Sequence, residues 1–157
     1  MGKMVIGMDR VLDVAGELYN RYLEKFGKKM DEMKMHKLMY FVQRESLMYS
    51  KERLFQEDFY GWKYGPVLKS VRREYKHGKD FSNASNEVSD TAKKYVNDVL
   101  NRYGGVSSWK LSSLSHDEFS WKVAREGLSP SDNGNVKLSL SAMRVDAVRE
   151  LSSRRTA

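Results

Sequence analysis

His116, Asp117 and Glu118 are adjacent residues of the types that carry out acid–base catalysis or bind metal ions. Adjacent residues on a helix point in different directions, so these side chains cannot converge on one ion or one substrate atom. We expect Glu118 to reach back to the backbone amide of Ser115 as part of a helix cap, and His116 to hydrogen-bond locally or pack. A hydrolase built around His116 and Glu118 stays open as a second alternative.

The sequence carries no other pattern typical of an enzyme or a cofactor site. Without cysteine there is no disulfide framework, no thiolate zinc site and no cysteine nucleophile. The stretch from Ser107 to Lys110 has Ser-x-x-Lys spacing, but Ser107 is better explained as a helix cap. Gly61 and Gly65 lack the Gly-Lys-Ser/Thr ending of a phosphate-binding loop. We therefore expect no enzymatic activity, no cofactor and no metal.

Positive charge is concentrated in one part of the chain. Segment 63–79 holds six Lys or Arg residues and one Glu, in a chain with 28 basic and 21 acidic residues. We expect a helix over 66–76, with Pro66 in its first turn. Its exposed basic residues are the candidate partner-binding set: Lys69, Arg72, Arg73 and Lys76.

This basic face suits an acidic protein surface or a phosphate backbone. Nucleic-acid binding usually interleaves aromatic residues with the positive charges. Here Trp62 and Tyr75 are expected to point inward, so nucleic acid is the less favoured partner and stays an alternative. A nucleic-acid-binding or autoregulatory module would bind duplex DNA with an affinity that falls steeply with salt.

The length of 157 residues predicts a single domain, spanning 1–157, with a core at about 10–150 and a frayed tail at 152–157. Forty per cent of the residues are apolar and 31% are charged, an ordinary balance for a water-soluble protein. The apolar stretch from Met4 to Met8 is too short for a signal peptide, and no window reaches transmembrane length. We expect a cytoplasmic protein that does not bind membranes.

Hydrophobic spacing predicts a mainly α fold with a small β-sheet, of the α+β class, with six or seven helices and two or three short strands. Helices are expected at 10–26, from Asp31 to about Tyr49, and at 66–76, 89–103, 108–114, 116–126 and from Ser141 onward. Strands are expected at 58–62 and 136–140, and a polar surface loop at 79–90.

Caps and buried faces accompany these helices. The candidate N-caps are Asp9, Asp31, Ser107 and Ser141, and Gly27 is a candidate helix end. The helix after Asp31 carries a methionine-rich stripe that we expect in the core rather than in an adaptable binding groove: Met35, Leu38, Met39, Val42 and Tyr49. In the last helix, Val145, Val148 and Leu151 are expected to face inward.

Several of these stretches resemble the motifs of the Panacea domain, the SocA-like antitoxin family that includes phage-associated, GepA-like proteins. Lys34–Phe41 resembles the family's "KLQKLLYF" opening, Trp62–Val67 its "WKYGPV" centre, Ser115–Trp121 its "LTHxExPW" stretch, and Leu138-Ser139 its last strand. The signature residues, which the resemblance assigns to the scaffold, are Lys37, Leu38, Tyr40, Phe41, Trp62, Tyr64, Gly65, Pro66, Val67, His116, Glu118 and Trp121. Tyr60-Gly61 and Ser120 depart from the pattern, where Glu-Ala and Pro are usual.

The resemblance implies a mainly helical domain that acts as the antitoxin of a bacterial or phage toxin–antitoxin pair. Members of this family neutralise unrelated toxins by direct contact, and at least one delivers its toxin to a cytosolic protease. Our leading hypothesis is therefore a non-enzymatic antitoxin that sequesters a cognate toxin in the cytoplasm. A proteolytic adaptor is the alternative that the resemblance also allows.

Overall fold

The computed structural model describes residues 8–78, 81 and 87–156. Within these residues the chain forms seven α-helices and one antiparallel sheet of two strands, which confirms the mainly α prediction with a small sheet. In chain order the elements are α1 (Val11–Phe26), α2 (Glu32–Tyr49), β1 (Tyr60–Trp62), β2 (Gly65–Val67), α3 (Lys69–Lys76), α4 (Asp90–Tyr103), α5 (Ser108–His116), α6 (Phe119–Ala124) and α7 (Leu140–Thr156).

Helix α2 is the centre of the core. It packs against α1, α4, α5, α7 and β2, and almost every residue from Lys34 to Met48 is buried. The methionine-rich stripe lies in the core as predicted, with Met35, Leu38, Met39 and Val42 fully buried. Tyr49 is half exposed, so its assignment to the core was wrong. As the last residue of α2 it reaches the surface, where its hydroxyl accepts a hydrogen bond from Arg154.

Two helices, α2 and α5, begin at the predicted caps. The Asp31 carboxylate accepts the Lys34 amide at 2.8 Å, and the Ser107 hydroxyl accepts the Lys110 amide at 3.2 Å. At the other end of α1, Gly27 adopts a left-handed conformation with φ of 71°, as expected for a helix-ending glycine. Ser89 caps α4 in the same way as Asp31 caps α2. Residue type alone therefore correctly predicted the helix ends at Asp31, Ser107 and Gly27.

Asp9 does not cap α1, which corrects the prediction. Its carboxylate accepts hydrogen bonds from the Ser89 amide and the Ser89 hydroxyl, each at 2.7 Å. Arg10 occupies the position before α1 and makes no side-chain cap bond. A contact distant in sequence has replaced the local one, and it ties the start of α1 to the start of α4.

Pro66 lies in a strand rather than in the first turn of a helix. Strands β1 and β2 pair with Trp62 opposite Gly65 and Gly61 opposite Pro66, and α3 begins only at Lys69. A two-stranded sheet has free edges, where a proline without an N–H is tolerated. The predicted basic helix is therefore shorter than 66–76, although its four basic residues all belong to it.

The second predicted strand, at 136–140, is reduced to a single bridge between Tyr60 and Lys137. Two backbone hydrogen bonds of 2.9 Å hold it: Gly61 N–H to the Val136 carbonyl, and Leu138 N–H to the Phe59 carbonyl. Helix α7 then begins at once, which leaves no room for a longer ladder.

The last helix differs from prediction in its start, its buried face and its end. It starts at Leu140 and is capped by Ser139, whose hydroxyl accepts the Ala142 amide at 3.1 Å, so Ser141 is not the cap. Val145 and Val148 are exposed, and the buried face consists instead of Ala142, Met143, Asp146 and Ala147. The tail predicted to fray is helical to Thr156, because Arg154 pairs with Glu45 and Glu150.

The capping box predicted at Ser115 and Glu118 does not form. Helix α5 runs on through His116 and α6 covers only Phe119–Ala124. The Ser115 hydroxyl donates to the Ser112 carbonyl at 2.9 Å, and the Glu118 side chain makes no cap bond. The start of α6 is capped from a distance by Asp146 on α7, as described below.

The polar loop predicted at 79–90 lies mostly outside the described residues. Of its members, Phe81 and residues 87–90 are described, and the Phe81 ring is buried against Tyr19 and Tyr75. Within the described ranges, no helix combines the length and the hydropathy that crossing a membrane would require.

Candidate functional site

The β1–β2 hairpin is held in place by α5 and α6. The Trp121 indole donates to the Trp62 carbonyl at 2.8 Å, and the Ser112 hydroxyl donates to the Tyr64 carbonyl at 3.1 Å. The His116 ring stacks on Trp121, with ring centres 4.2 Å apart and planes within 5° of parallel. His116 thus packs locally, in agreement with the expectation from sequence, and the hairpin is fixed by contacts from a distant part of the chain.

At Gly65 the backbone of the hairpin comes close to side chains of α2 and α5. Its φ of 124° is rarely adopted by residues with a side chain. A Cβ atom there would lie 2.8 Å from the Ser115 hydroxyl oxygen and 2.9 Å from Cε of Lys37. The glycine therefore leaves the space through which the Lys37 side chain passes.

Lys37 is a buried cation beneath the hairpin. Its residue is only 2% exposed, and among the described residues its ammonium forms neither a hydrogen bond nor an ion pair. Burial lowers the pKa of Lys37 to about 8, although the charges of Asp31 and Glu32 oppose this shift. An ammonium of this kind is stabilised by any anion that can reach it.

A pocket of about 380 Å³ opens beside Lys37, between α2, the hairpin and α3. Its volume falls within the range of small-molecule and side-chain sites. Charged or aromatic residues provide much of the wall, notably Glu32, His36, Lys37, Trp62, Tyr64 and Arg72.

Glu32 organises the outer part of this pocket. The Arg72 guanidinium donates to the Glu32 carboxylate at 3.0 Å, and His36 Nε2 lies 3.0 Å from the same oxygen. Because the Leu68 amide donates to His36 Nδ1 at 3.2 Å, the neutral ring carries its proton on Nε2 and donates it to Glu32.

The same contacts set the protonation states in this part of the pocket. Burial lowers the pKa of His36 despite the neighbouring carboxylate, so the ring is neutral near pH 7. Burial alone would raise the pKa of Glu32, but the hydrogen bonds from His36 and Arg72 outweigh burial and lower it. The charge of Arg72 is thus already balanced, while that of Lys37 is not.

The four residues predicted to bind a partner do not form one uniform surface. The Lys69 ammonium lies 3.9 Å from the centre of the Tyr60 ring, and Arg72 lines the pocket and lies over Trp62. Arg73 and Lys76 are exposed. Their contact with a partner stays a prediction, and the exposed pair is the better one for testing it.

A second cluster of buried charge lies elsewhere along α2, centred on Arg44. Its guanidinium donates to the Glu118 carboxylate at 2.7 Å and to the Tyr103 hydroxyl at 2.9 Å, and it lies over the Phe41 ring. Burial opposes the charge on Arg44, yet Glu118 and its neighbours raise the pKa above its ordinary value. Glu118, expected to cap a helix, instead joins the α5–α6 segment to α2.

Asp146 connects α7 to the same region. Its carboxylate accepts the Tyr40 hydroxyl at 2.7 Å, the Phe119 amide at 2.7 Å and the Ser120 amide at 3.0 Å. Ser120 also bonds the Tyr40 hydroxyl through its own side chain. This residue, which stands where the family usually has proline, therefore has a local polar role. The sequence reasoning missed both Arg44 and Asp146, although a charged residue within a buried stripe was the available signal.

Both clusters contain buried polar atoms that lack a hydrogen-bond partner among the described residues. Near the hairpin these are the indole nitrogen of Trp62 and Nε2 of His116, and in the second cluster Nε of Arg44. In the described part of the chain, no group of three His, Asp or Glu residues is placed to hold a metal ion. The arrangement around Lys37 can bind an anion, and it offers no nucleophile paired with a base.

The sequence profile of the family described as "Antitoxin SocA-like, Panacea domain" matches residues 35–122, more than half of the chain. This chain belongs to that family. The matched range contains both the Trp62–Val67 and the Ser115–Trp121 motifs, and it ends before Leu138-Ser139. Comparison with curated proteins and with solved structures gives no significant match.

The signature residues of this Panacea domain have two distinct placements. Leu38, Tyr40 and Phe41 are buried in the core along α2. Glu118 pairs with Arg44 in the second cluster. The others surround the hairpin, where Lys37 passes under Gly65, Pro66 and Val67 form β2, and His116 and Trp121 support the turn. Tyr64 is the outward member, with 52% of its surface exposed. Much of the signature therefore builds one pocket and its rim.

Proposed function

We propose that this protein is the antitoxin of a toxin–antitoxin pair and that it neutralises its toxin by direct protein–protein contact in the cytoplasm, without a catalytic step. The observation that carries the proposal is membership of the SocA-like Panacea antitoxin family. A binding role also suits a site that offers an unpaired cation and aromatic surface but no paired nucleophile and base.

The surface best suited to such contact consists of the exposed side of α3 and the hairpin turn. Arg73 and Lys76 are exposed on α3, and Tyr64 is exposed at the turn beside the pocket. Tyrosine and arginine are enriched in the centres of protein interfaces, and peripheral charges raise association rates and exclude wrong partners. We assign the toxin contact to this surface.

The first test uses the product of the adjacent reading frame as the candidate toxin. Its expression alone should stop growth, co-expression with this chain should restore growth, and the two proteins should copurify as a stoichiometric complex. Toxicity that persists in the presence of a well-expressed, folded antitoxin, with no complex detected, would contradict the proposal.

The double variant Arg73→Glu/Lys76→Glu tests the surface. Because both side chains are exposed, the fold should be retained, while the association rate with the toxin should fall by roughly tenfold at low salt. The matched control is Lys93→Glu/Lys94→Glu, an exposed pair on α4. Stopped-flow or surface-binding kinetics would measure both. Equal association rates for the two variants would remove the α3 face from the mechanism.

The fate of the toxin separates blocking from proteolytic delivery. If the antitoxin blocks its toxin, the cellular half-life of the toxin should be unchanged or longer when the antitoxin is present. A half-life that shortens with the antitoxin, and recovers when cytosolic proteases are inactivated, would instead assign the adaptor role.

The net charge of +7 keeps nucleic-acid binding as the rival from another class. That rival predicts duplex DNA binding whose logarithmic affinity falls linearly with the logarithm of salt concentration. Electrophoretic or fluorescence titrations at two salt concentrations would measure it, with Arg73→Glu/Lys76→Glu as the variant that should reduce the slope.

A further inference from the structure

We infer that the pocket beside Lys37 receives an acidic side chain of the partner protein, whose carboxylate pairs with the Lys37 ammonium. This inference rests on the proposed antitoxin function and names the chemistry of the contact. Its starting observation is the combination of a lysine that is 98% buried, with no hydrogen bond or ion pair to any described residue, and an open pocket that this lysine lines.

The charge distribution of the pocket favours one negative charge rather than two. Three cations line the pocket. Arg72 is held by Glu32 at 3.0 Å, and the Lys63 ammonium lies 5.3 Å from the centre of the Tyr64 ring, which leaves Lys37 as the buried cation without a carboxylate partner among the described residues. Glu32 itself lines the pocket and would repel a phosphate dianion more strongly than a carboxylate. Phosphate sites also commonly use a bidentate arginine, which Arg72 cannot supply while it is paired.

The walls suit the apolar stem of a glutamate or aspartate side chain. Met33 and Val67 provide aliphatic surface, and Trp62 and Tyr64 provide aromatic surface. A side chain that enters between them would bury its methylene groups and place its carboxylate near the ammonium. The pocket adjoins the exposed α3 face, so one partner surface can contact both.

Binding would also remove a cost that the free protein carries. A buried charge without a partner is unfavourable, and pairing it with a carboxylate in a water-poor site recovers much of that penalty. Pairing with an acidic ligand therefore contributes more binding free energy at Lys37 than it would at an exposed lysine. The pairing is a source of specificity, because a partner with an apolar or basic side chain at this position leaves the cation unpaired.

The first test uses Lys37→Met, with Lys110→Met as the control for loss of one exposed lysine. Methionine fills similar space without charge, so the variant should fold with no loss of stability. Its affinity for the coexpressed toxin should fall by about tenfold or more, while Lys110→Met binds as the parent does. A folded Lys37→Met protein that binds the toxin with parental affinity would overturn the inference but leave the antitoxin function standing.

Titration of Lys37 in the unsubstituted chain provides a readout that does not depend on the variant folding. The titratable and charged groups around it are Asp31 at the N-cap of α2, Glu32 and His36 on α2, Arg72 on α3, Lys63 in the turn and His116 on α5. Burial lowers the pKa of both His36 and His116, so neither histidine titrates near pH 8. The pKa of Lys37 should rise from about 8 when the toxin binds, and an unchanged pKa in the complex would overturn the inference.

Small anions test the pocket without any toxin, and so separate its failure from failure of the antitoxin function. With lysine side chains labelled for NMR, sodium acetate should raise the pKa of Lys37 above its value in sodium chloride of equal ionic strength. Inorganic phosphate should raise it less than acetate. No response to either anion, or a larger response to phosphate, would contradict a carboxylate pocket.

Discussion

Two of the buried cations of helix α2, Lys37 and Arg44, lie seven positions apart and differ in their surroundings. Arg44 contacts Glu118 and Tyr103 and lies near Glu150, so its charge is neutralised by the fold itself. Lys37 has neither an ion pair nor a hydrogen bond among the described residues, and it lines a pocket. Within helix α2, one cation is therefore neutralised by side chains of the protein itself, and the other can pair with an anion that enters the pocket.

The difference shows what a buried charge can do in a small domain. The paired charge of Arg44 joins α2 to the α5–α6 segment and limits how these elements can pack. An unpaired charge reduces the stability of the free protein and raises the affinity for an anion. The distinction lies in the partners and not in the depth of burial, because both residues are at most 4% exposed.

The largest expected effect is on stability, from Arg44→Met. The variant leaves the Glu118 carboxylate in the interior without its cation, and removal of one partner from a buried ion pair typically costs about 3–5 kcal/mol. Urea unfolding should show this loss, with Arg102→Met as the exposed control on α4. A loss below 1 kcal/mol in the free energy of unfolding would contradict the claim that Arg44, unlike Lys37, is held in a stabilising buried ion pair.

The next effect concerns the space around Lys37. Gly65→Ala would place a methyl group 2.9 Å from Cε of Lys37 and 2.8 Å from the Ser115 hydroxyl, at a φ of 124°. We expect a loss of about 2–3 kcal/mol in the free energy of unfolding, from strain and crowding together. Gly105→Ala is the control, since its nearest neighbour is 4.0 Å away. If both variants are equally stable, Lys37 is not confined as described.

The smallest predicted effect is a pH dependence of stability. Lys37 has a pKa of about 8 in the folded protein against an ordinary value of 10.5, so between these values the unfolded chain binds more protons. The cost of the buried charge is fully present below pH 8 and is relieved as the pH rises above 8. Stability should therefore increase by roughly 2 kcal/mol from pH 8 to 10, relative to Lys37→Met. Parallel pH profiles for the two proteins would contradict this.

Local sequence signals predicted most of the fold. Apolar spacing located α1, α2 and α4, and the caps at Asp31 and Ser107 came from residue type alone. The errors arose where a distant contact replaced a local preference. Asp9 binds Ser89 rather than its own helix, and Asp146 caps α6 from α7. Such pairings depend on the tertiary arrangement, which local patterns do not contain.

The candidate site was predictable in composition but not in organisation. The basic residues of α3 and the signature residue Lys37 were all identified from sequence. The burial of Lys37, its lack of a partner and the pairing of Arg72 with Glu32 follow only from the packing of the hairpin over α2. The prediction of a helix over 66–76 also prevented this hairpin from being predicted, because it assigned residues of β2 to the basic helix.

The most direct test of the central claim is the titration midpoint of the Lys37 side chain in the free protein. Selective isotope labelling of lysine, with assignment by comparison to Lys37→Met, would give this value by NMR. An unpaired buried ammonium predicts a pKa near 8. A value at or above the ordinary 10.5 would show that Lys37 is solvated or already paired, and would contradict the account.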